Sequence, residues 1–473
     1  MAKRHYAIVT EQYKLIHFYY DVDEWELYDR KKGSQELKSV YNDPRLTPRC
    51  RLNSIRIWKP CARNTRTRPN QTSFTSGGPP KNNAAPSGRV GPGFGMTPTE
   101  THLCTSLALA LCMTPEAITA FLAEHNIQKV KYAFADINGV LRGKVISTRK
   151  FLDGLTNGFG FCDVVWGWDM TDAPYDNGST TGWQSGYPDA PVRLDLATFR
   201  QVPWDNDIPF FLADFSRADG NDLPACPRSL LKRVVAQGRE MGFVAQMGQE
   251  FEWFMFRESP QSLANKGFHN PEPLTPGMFG YSILRPSLET DLTNDLFDLL
   301  TRFDIPLEGL HTETGPGVYE AAIHHDDALR AADKAVLFKT AVKEIAYRHG
   351  LVASFMAKWN ADLPGCSGHI HQSLWNPEKS QNLFFDPAES GNMSELMQQF
   401  MAGQLHCLPY ITPMFAPTIN SYKRLVEGAW APTTVTWSVD NRTTALRVLN
   451  HNETYCRVEH RVSGADTNPY LAL

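Results

Sequence analysis

Between residues 248 and 256 the chain reads GQEFEWFMF, an apolar and aromatic stretch interrupted by two carboxylates, Glu250 and Glu252. Side chains two apart on a strand share a face, so the pattern predicts a strand with both glutamates on one side and Phe251 and Trp253 on the other. Helical spacing precedes it. In CPRSLLKRVVAQGREMG, Leu230, Leu231, Val234 and Val235 form an apolar stripe behind Pro227, a residue tolerated in a first helical turn. Earlier, Thr114, Pro115 and Glu116 read as an N-cap and first turn before Ile118, Phe121 and Leu122. VKYAFADINGVLRGKVIS reads as two strands about an Asn-Gly turn. Further on, DLTNDLFDLLTRFDIPLEGLH and ALRAADKAVLFKTAVKEIAYRHG predict amphipathic helices, while VASFMAKW and GHIHQSLW predict strands. At the start, YKLIHFYY and WELYD predict two short strands, or a strand followed by a turn. The alternation favours an α+β fold.

Composition divides the chain. From Arg45 to Met96 there is much Arg, Pro, Gly, Asn, Ser and Thr but no Asp or Glu, and too little apolar material for a core. A disordered basic linker is expected there. The resulting organisation is an extension over 1–44, the linker over 45–96, a small mixed domain over 97–217 and a larger catalytic domain over 218–473. A formal charge of −4 implies no membrane or nucleic-acid partner, and the linker lacks a regular basic-aromatic pattern. Nine cysteines without a close CxxC pair favour a reducing compartment. No signal-peptide pattern opens the chain, and LCTSLALALCM is too short to span a bilayer, so a soluble cytoplasmic protein is expected.

Candidate chemistry gathers around the paired glutamates. Glu313 and Glu320 flank TGPGVY, whose glycines can return the second carboxylate to a common site, and Glu459 lies in RVEHR. Together the five offer hard oxygen ligands suited to Mg²⁺ or Mn²⁺. GHIHQS adds His369 and His371, either as a metal ligand beside an anion contact or as hydrogen-bonded surface histidines. Arg424, Arg442, Arg447, Arg457 and Arg461 form either solvated salt bridges or a cluster that holds a carboxylate and phosphate oxygens. There is no P-loop, dinucleotide fingerprint or serine nucleophile elbow. The charges point to metal-assisted phosphoryl transfer.

In order, FADINGVLRGK, GQEFEWFMF, EGLHTETGPGVYE, GHIHQS, NSYKRLV, DNRTTALR, RVEHR and NPYLAL resemble the glutamine synthetase family over roughly residues 110–473. The resemblance implies an N-terminal β-grasp domain, an α+β catalytic domain with a curved antiparallel sheet, and a ring-forming homo-oligomer with a dodecamer as the candidate assembly. It implies one metal set of Glu250, His369 and Glu459 and another of Glu252, Glu313 and Glu320. Arg424 and Arg461 become carboxylate contacts and Arg442 a phosphate contact. Glu308, His371, Ser373 and Arg447 take nucleotide-side positions, and Asp136 receives the nitrogen nucleophile in a neighbouring subunit's site. The implied reaction uses ATP to convert the side-chain carboxylate of glutamate to an acyl phosphate, which ammonia or an amine then attacks.

Departures from the family pattern bear on the substrates. Trp430 stands where ammonia-using relatives carry a flap glutamate, while Glu427 occupies an earlier, usually proline position. An aromatic ring cannot deprotonate ammonium, which favours a larger amine. Pro364 and PGCSGH replace an amide-bearing NGSGMH pattern, so a related γ-carboxylate compound competes with glutamate. Residues 11–44 resemble a sulfatase C-terminal tail without a sulfatase catalytic region. The family continues with helices beyond NPYLAL, so C-terminal truncation is expected. A catalytically altered scaffold with a structural or regulatory role is the alternative reading.

Overall fold

The computed structural model describes the strand backbones at 4–9, 13–19 and 24–29, then residues 114–175 and 178–473. The expected linker over 45–96 lies outside the described residues. Two compact units emerge, Met1–Phe94 and Gly95–Leu473. In the first, β1 (Arg4–Val9), β2 (Tyr13–Tyr19) and β3 (Glu24–Asp29) form an antiparallel sheet in that order. RHYAIV thus adds a strand to the two predicted from YKLIHFYY and WELYD.

In the second unit, β4 (Lys129–Ala135), β5 (Leu141–Ser147), β6 (Phe159–Cys162), β7 (Asp189–Val202) and β8 (Ile208–Phe215) pair in the order β5-β4-β8-β7-β6. Only β4 and β8 run parallel, which gives the mixed sheet of a β-grasp domain. The helix Pro115–Glu124 starts where predicted, its Thr114 hydroxyl accepting from the Ala117 amide at 3.2 Å. The β4–β5 connection differs from a primed Asn-Gly hairpin. Its turn runs from the Asp136 carbonyl to the Gly139 amide, and in it only Gly139 has positive φ. That arrangement is a type I turn with a glycine bulge.

The larger sheet is built on β9 (Val244–Phe256), β10 (Leu307–Thr312), β11 (Val318–Ile323), β12 (Asp326–Asp327), β13 (Val352–Ser354), β14 (Gly368–Trp375), β15 (Trp437–Val439), β16 (Leu446–Leu449) and β17 (Arg457–His460). Its main order is β10-β11-β9-β14-β17-β16-β15, with β12 and β13 also pairing β9. All pairs are antiparallel except β15 with β16. Phe251 and Trp253 are wholly buried on the back of β9, against Phe338 of the helix Ala328–Arg348 and Phe355. Each such ring contributes about 1.5–3 kcal/mol of burial free energy.

The helix Pro227–Glu240 forms, and its apolar stripe is divided: Leu231 is buried in a core cluster with Val235 packed against it, but the other half of the stripe is not. Leu230 and Val234 are exposed, whereas Arg228 is 2% exposed. The cause is ionic. Arg228 donates to both Asp333 oxygens at 2.8 Å and to Asp214 at 2.9 Å, and pairs with Asp195 at 2.9 Å. Tyr470 adds a hydroxyl bond of 2.7 Å to Asp333. The cluster joins β7 and β8 of the small domain to a catalytic-domain helix. Among the described residues, no helix is long and apolar enough to cross a membrane.

Removing the cation from this network leaves buried carboxylates uncompensated. Arg228→Ala is therefore expected to cost about 3–5 kcal/mol of stability, read from the denaturant midpoint. Arg228→Lys should recover only part of the loss, because one ammonium cannot reproduce the forked contacts.

Candidate active site

Register builds the site on one face of the larger sheet. Glu250 on β9 lies opposite His369 on β14, and Glu252 lies opposite Glu320 on β11. His371 lies opposite Glu459 on β17, which in turn faces Arg447 on β16. These groups line a cavity of about 540 Å³ with Glu313, Arg424, Trp430, Arg442 and Arg461; His371 borders it through Glu250. Glu313 arrives on the turn between β10 and β11. Gly317 holds that turn at φ +69°, where an added Cβ would overlap the Met255 carbonyl.

The carboxylates cannot all stay charged on their own. Burial pushes Glu320 up to about 12, reinforced by its hydrogen bond to Glu250 and by Glu252 and Glu313 nearby. Burial also raises Glu252, against the opposing Ser367 amide, which donates at 2.6 Å, and Arg424. On the other side, burial works to raise Glu250 but hydrogen bonds from Glu320 and His371 hold it well below the usual range. Glu459, opposed in the same way by burial, is held at about 2 by His369, His371, Arg461 and Arg447. Crowded carboxylates that must retain a proton are a donor set a divalent cation would neutralise.

The histidines take different roles. Burial, with Arg461 nearby, pushes His369 down to about 3, so its imidazole is neutral. Its Nδ1 lies 3.4 Å from Glu459 Oε1 and 4.0 Å from Glu250 Oε2, longer than a hydrogen bond and facing both carboxylates. That geometry fits a metal ligand. Arg457 Nε donates to His371 Nδ1 at 3.1 Å, and a guanidinium has no acceptor. His371 must therefore carry its proton on Nε2, which donates to Glu250 at 2.9 Å. Although His371 also clusters with Glu250 and Glu459, it positions Glu250 in this state.

Sequence reasoning missed His311 and placed Arg457 only within the general arginine cluster, not beside His371. His311 on β10 lies opposite Glu320, groups with Glu313 and Glu320, and stacks on Tyr281 at 4.6 Å. Its period-two relation to Glu313 was the available signal. Arg457 needed its cross-strand neighbour to be known.

The remaining predicted residues divide. Arg442 is exposed on the cavity wall. Arg424 is buried, donates to the Ser463 carbonyl at 2.9 Å, and its Nε has no partner among the described residues. Arg461 bonds Glu459, the Arg442 carbonyl at 3.1 Å and the Trp430 carbonyl at 3.4 Å. Trp430 is exposed and sits at φ +57°, a strained region for an aromatic residue. Glu427 is exposed and outside the cavity lining. Ser373 continues the His369–His371 face and accepts from Trp375 Nε1 at 2.9 Å. Glu308 is exposed beside His324, away from the cavity lining. Asp136 stands apart from its own chain's cavity. It accepts from the Asn138 and Val140 amides and from Arg142, each at 2.9 Å.

Residues 224–473 match the family described as glutamine synthetase, catalytic domain. Residues 1–53 match the C-terminal region of N-sulphoglucosamine sulphohydrolase. A type-1 glutamine synthetase 2 from Dictyostelium discoideum is 53% identical over 344 residues, covering 73% of this chain and 66% of its own. The chain thus spans just under two thirds of that relative. A glutamate–isopropylamine ligase from a Pseudomonas species is 36% identical, covering 75% of this chain and 77% of its own. A solved GmaS complex with ADP superposes with a TM-score of 0.64 at 28% identity, covering 75% of this chain and 77% of that chain. These likenesses bear out the α+β architecture with its β-grasp and catalytic regions.

A metal test follows from Glu320. Its ordinary value is 4.5, and burial raises it to about 12, so at neutral pH the folded metal-free chain holds a proton that the unfolded chain has released. Stability of the metal-free protein should therefore fall as pH rises above 4.5. Mg²⁺ binding should release protons, measured by calorimetry in buffers of different ionisation enthalpy, and Glu320→Gln should reduce that release.

Proposed function

We propose that this chain, which belongs to the glutamine synthetase family, uses ATP to couple the γ-carboxylate of glutamate to an amine larger than ammonia. Family membership supports an ATP-dependent carbon–nitrogen ligase activity in general terms. The observation that carries the finer reading is convergence on one cavity of carboxylates, neutral His369 and cationic arginines, with Trp430 at the rim.

In this reading a carboxylate oxygen of glutamate attacks the terminal phosphorus of ATP, forming γ-glutamyl phosphate and ADP. The amine nitrogen then attacks the acyl carbon, phosphate leaves, and the ammonium-like proton passes to a base. Glu250, His369 and Glu459 would hold one cation, and Glu252, Glu313 and Glu320 the other. When bound, Mg²⁺ or Mn²⁺ supplies Lewis-acid stabilisation of phosphoryl charge. Arg442 faces the transferring phosphoryl group, and Arg424 and Arg461 orient carboxylate oxygens. His371, Ser373, Arg447 and Glu308 mark the nucleotide side. The partner subunit's Asp136 receives the nitrogen nucleophile in a ring of copies. Exposed Ile137, Val140 and Val145 on the same hairpin support an interface there. The printed activity of the isopropylamine ligase and the aromatic side chain at 430 favour the larger amine.

Purified protein incubated with ATP, Mg²⁺, glutamate and a panel of amines should release phosphate and form an amide, with kcat/KM higher for an alkylamine than for ammonia. Failure to form any amine-dependent product in folded, metal-loaded protein would sink the reading. Trp430→Glu should shift the ammonia-to-alkylamine ratio of kcat/KM toward ammonia by about tenfold, equivalent to about 1.4 kcal/mol. Arg442→Ala should lower kcat by about 10²–10³.

A further inference from the structure

Arg424 enters the cavity just after a short helix, Ile419–Tyr422, that is anchored on two sides. Thr418 and Ser421 cap each other at its start, the Ser421 amide donating to Thr418 Oγ1 at 3.2 Å and the Thr418 amide to Ser421 Oγ at 3.0 Å. On one side Asn420 makes a reciprocal pair with the backbone of Lys358, its Oδ1 accepting from the amide at 2.9 Å and its Nδ2 donating to the carbonyl at 2.6 Å. On the other, Ser421 Oγ donates to Asp466 Oδ2 at 2.6 Å and Thr418 Oγ1 donates to the same oxygen at 3.3 Å. Neither Asn420 nor Asp466 lines the cavity.

Each anchor belongs to a segment that grips Arg424. Beside Lys358, the Ala357 carbonyl accepts from the Cys366 amide at 2.8 Å. Gly365 is thereby pressed between that carbonyl and the arginine stem, since an added Cβ would lie 2.4 Å from the Ala357 oxygen and 2.7 Å from Arg424 Cγ. Just before Asp466, the Val462 and Ser463 carbonyls accept from Arg424 Nη2 at 2.5 and 2.9 Å. Stem and head are therefore set by the same two segments that Asn420 and Asp466 hold. Arg424 is 3% exposed and lines the cavity, yet its Nε has no partner among the described residues. A buried guanidinium N–H left unpaired is costly, and a carboxylate arriving in the cavity would complete it.

We propose that Asn420 and Asp466 are positioning residues for the acid substrate: they hold the base of this segment so that Arg424 meets a substrate carboxylate in register. The inference rests on the reading of Arg424 as a carboxylate contact. Both side chains act through that one guanidinium, whose recognition geometry has to be held within about 0.5 Å.

The test measures KM and kcat for glutamate and for ATP in the full, Mg²⁺-loaded chain and in Asn420→Ala, Asn420→Asp, Asp466→Ala and Asp466→Asn, with folds checked by circular dichroism. The two alanine variants should raise the KM for glutamate about tenfold and leave that for ATP within about twofold. Asp466→Asn keeps a carbonyl oxygen for Ser421 Oγ and should recover most of the loss. Asn420→Asp gives up the donor to the Lys358 carbonyl and should not. A purely structural role would lower the active fraction, and so kcat, without moving either KM. That pattern, or a native KM for glutamate in both alanine variants, would overturn the proposal, while amide formation by the native chain would keep the ligase reading. If an alanine variant fails to fold, the comparison of Asn420→Asp with Asp466→Asn decides, and equal KM values for glutamate in the two overturn the proposal. Where no amide forms, the calorimetric Kd for glutamate replaces KM in the same comparison. A native chain that binds no glutamate overturns the proposal together with the reading beneath it.

Discussion

A slip of one residue between β9 and its neighbours would turn Glu250 and Glu252 into the aromatic core and Phe251 and Trp253 into the cavity. Everything else in the site depends on that register. It sets Glu250 against His369 and Glu252 against Glu320, and through β14 it sets His371 against Glu459. The aromatic back of β9 is what enforces it. Phe251 and Trp253, wholly buried against Phe338 and Phe355, make any other register costly, so apolar packing holds like charges together that would otherwise separate.

The small domain is tied in by a different force. Arg228 answers carboxylates from β7, β8 and the helix Ala328–Arg348, and Lys232 adds pairs to Asp195 and Asp214. These charges are compensated within the chain. The cavity carboxylates are compensated only in part, since Glu320 keeps its proton in the absence of a cation. The same chemical group is thus spent on architecture in one place and left available for chemistry in another.

Much of this was legible in the sequence where the signal was local. GQEFEWFMF alternates, and its two faces are those found in β9. Thr114 caps as its type suggests, and GHIHQSLW is a strand over its full length. Legibility ended where a residue's meaning came from a distant partner. The stripe of Leu230, Leu231, Val234 and Val235 looked like a core face, yet only Leu231 and Val235 pack inward, because Arg228 turns the helix toward three aspartates on other elements. Arg457 gains its role only by lying beside His371, and His311 only by facing Glu320. Glu308 could be read as nucleotide-side by resemblance, but its bulge and its histidine neighbours are products of register.

Arg461 has one partner on each of its three nitrogens: the Glu459 carboxylate, the Arg442 carbonyl and the Trp430 carbonyl. It is therefore a shared resource between the floor of the cavity and its rim. Three of its five N–H donors are used in this way, and the longest of the contacts is the one to Trp430 at 3.4 Å. Floor and rim are thereby joined through a single side chain, so a shift of Trp430 and a shift of Glu459 are felt by the same guanidinium.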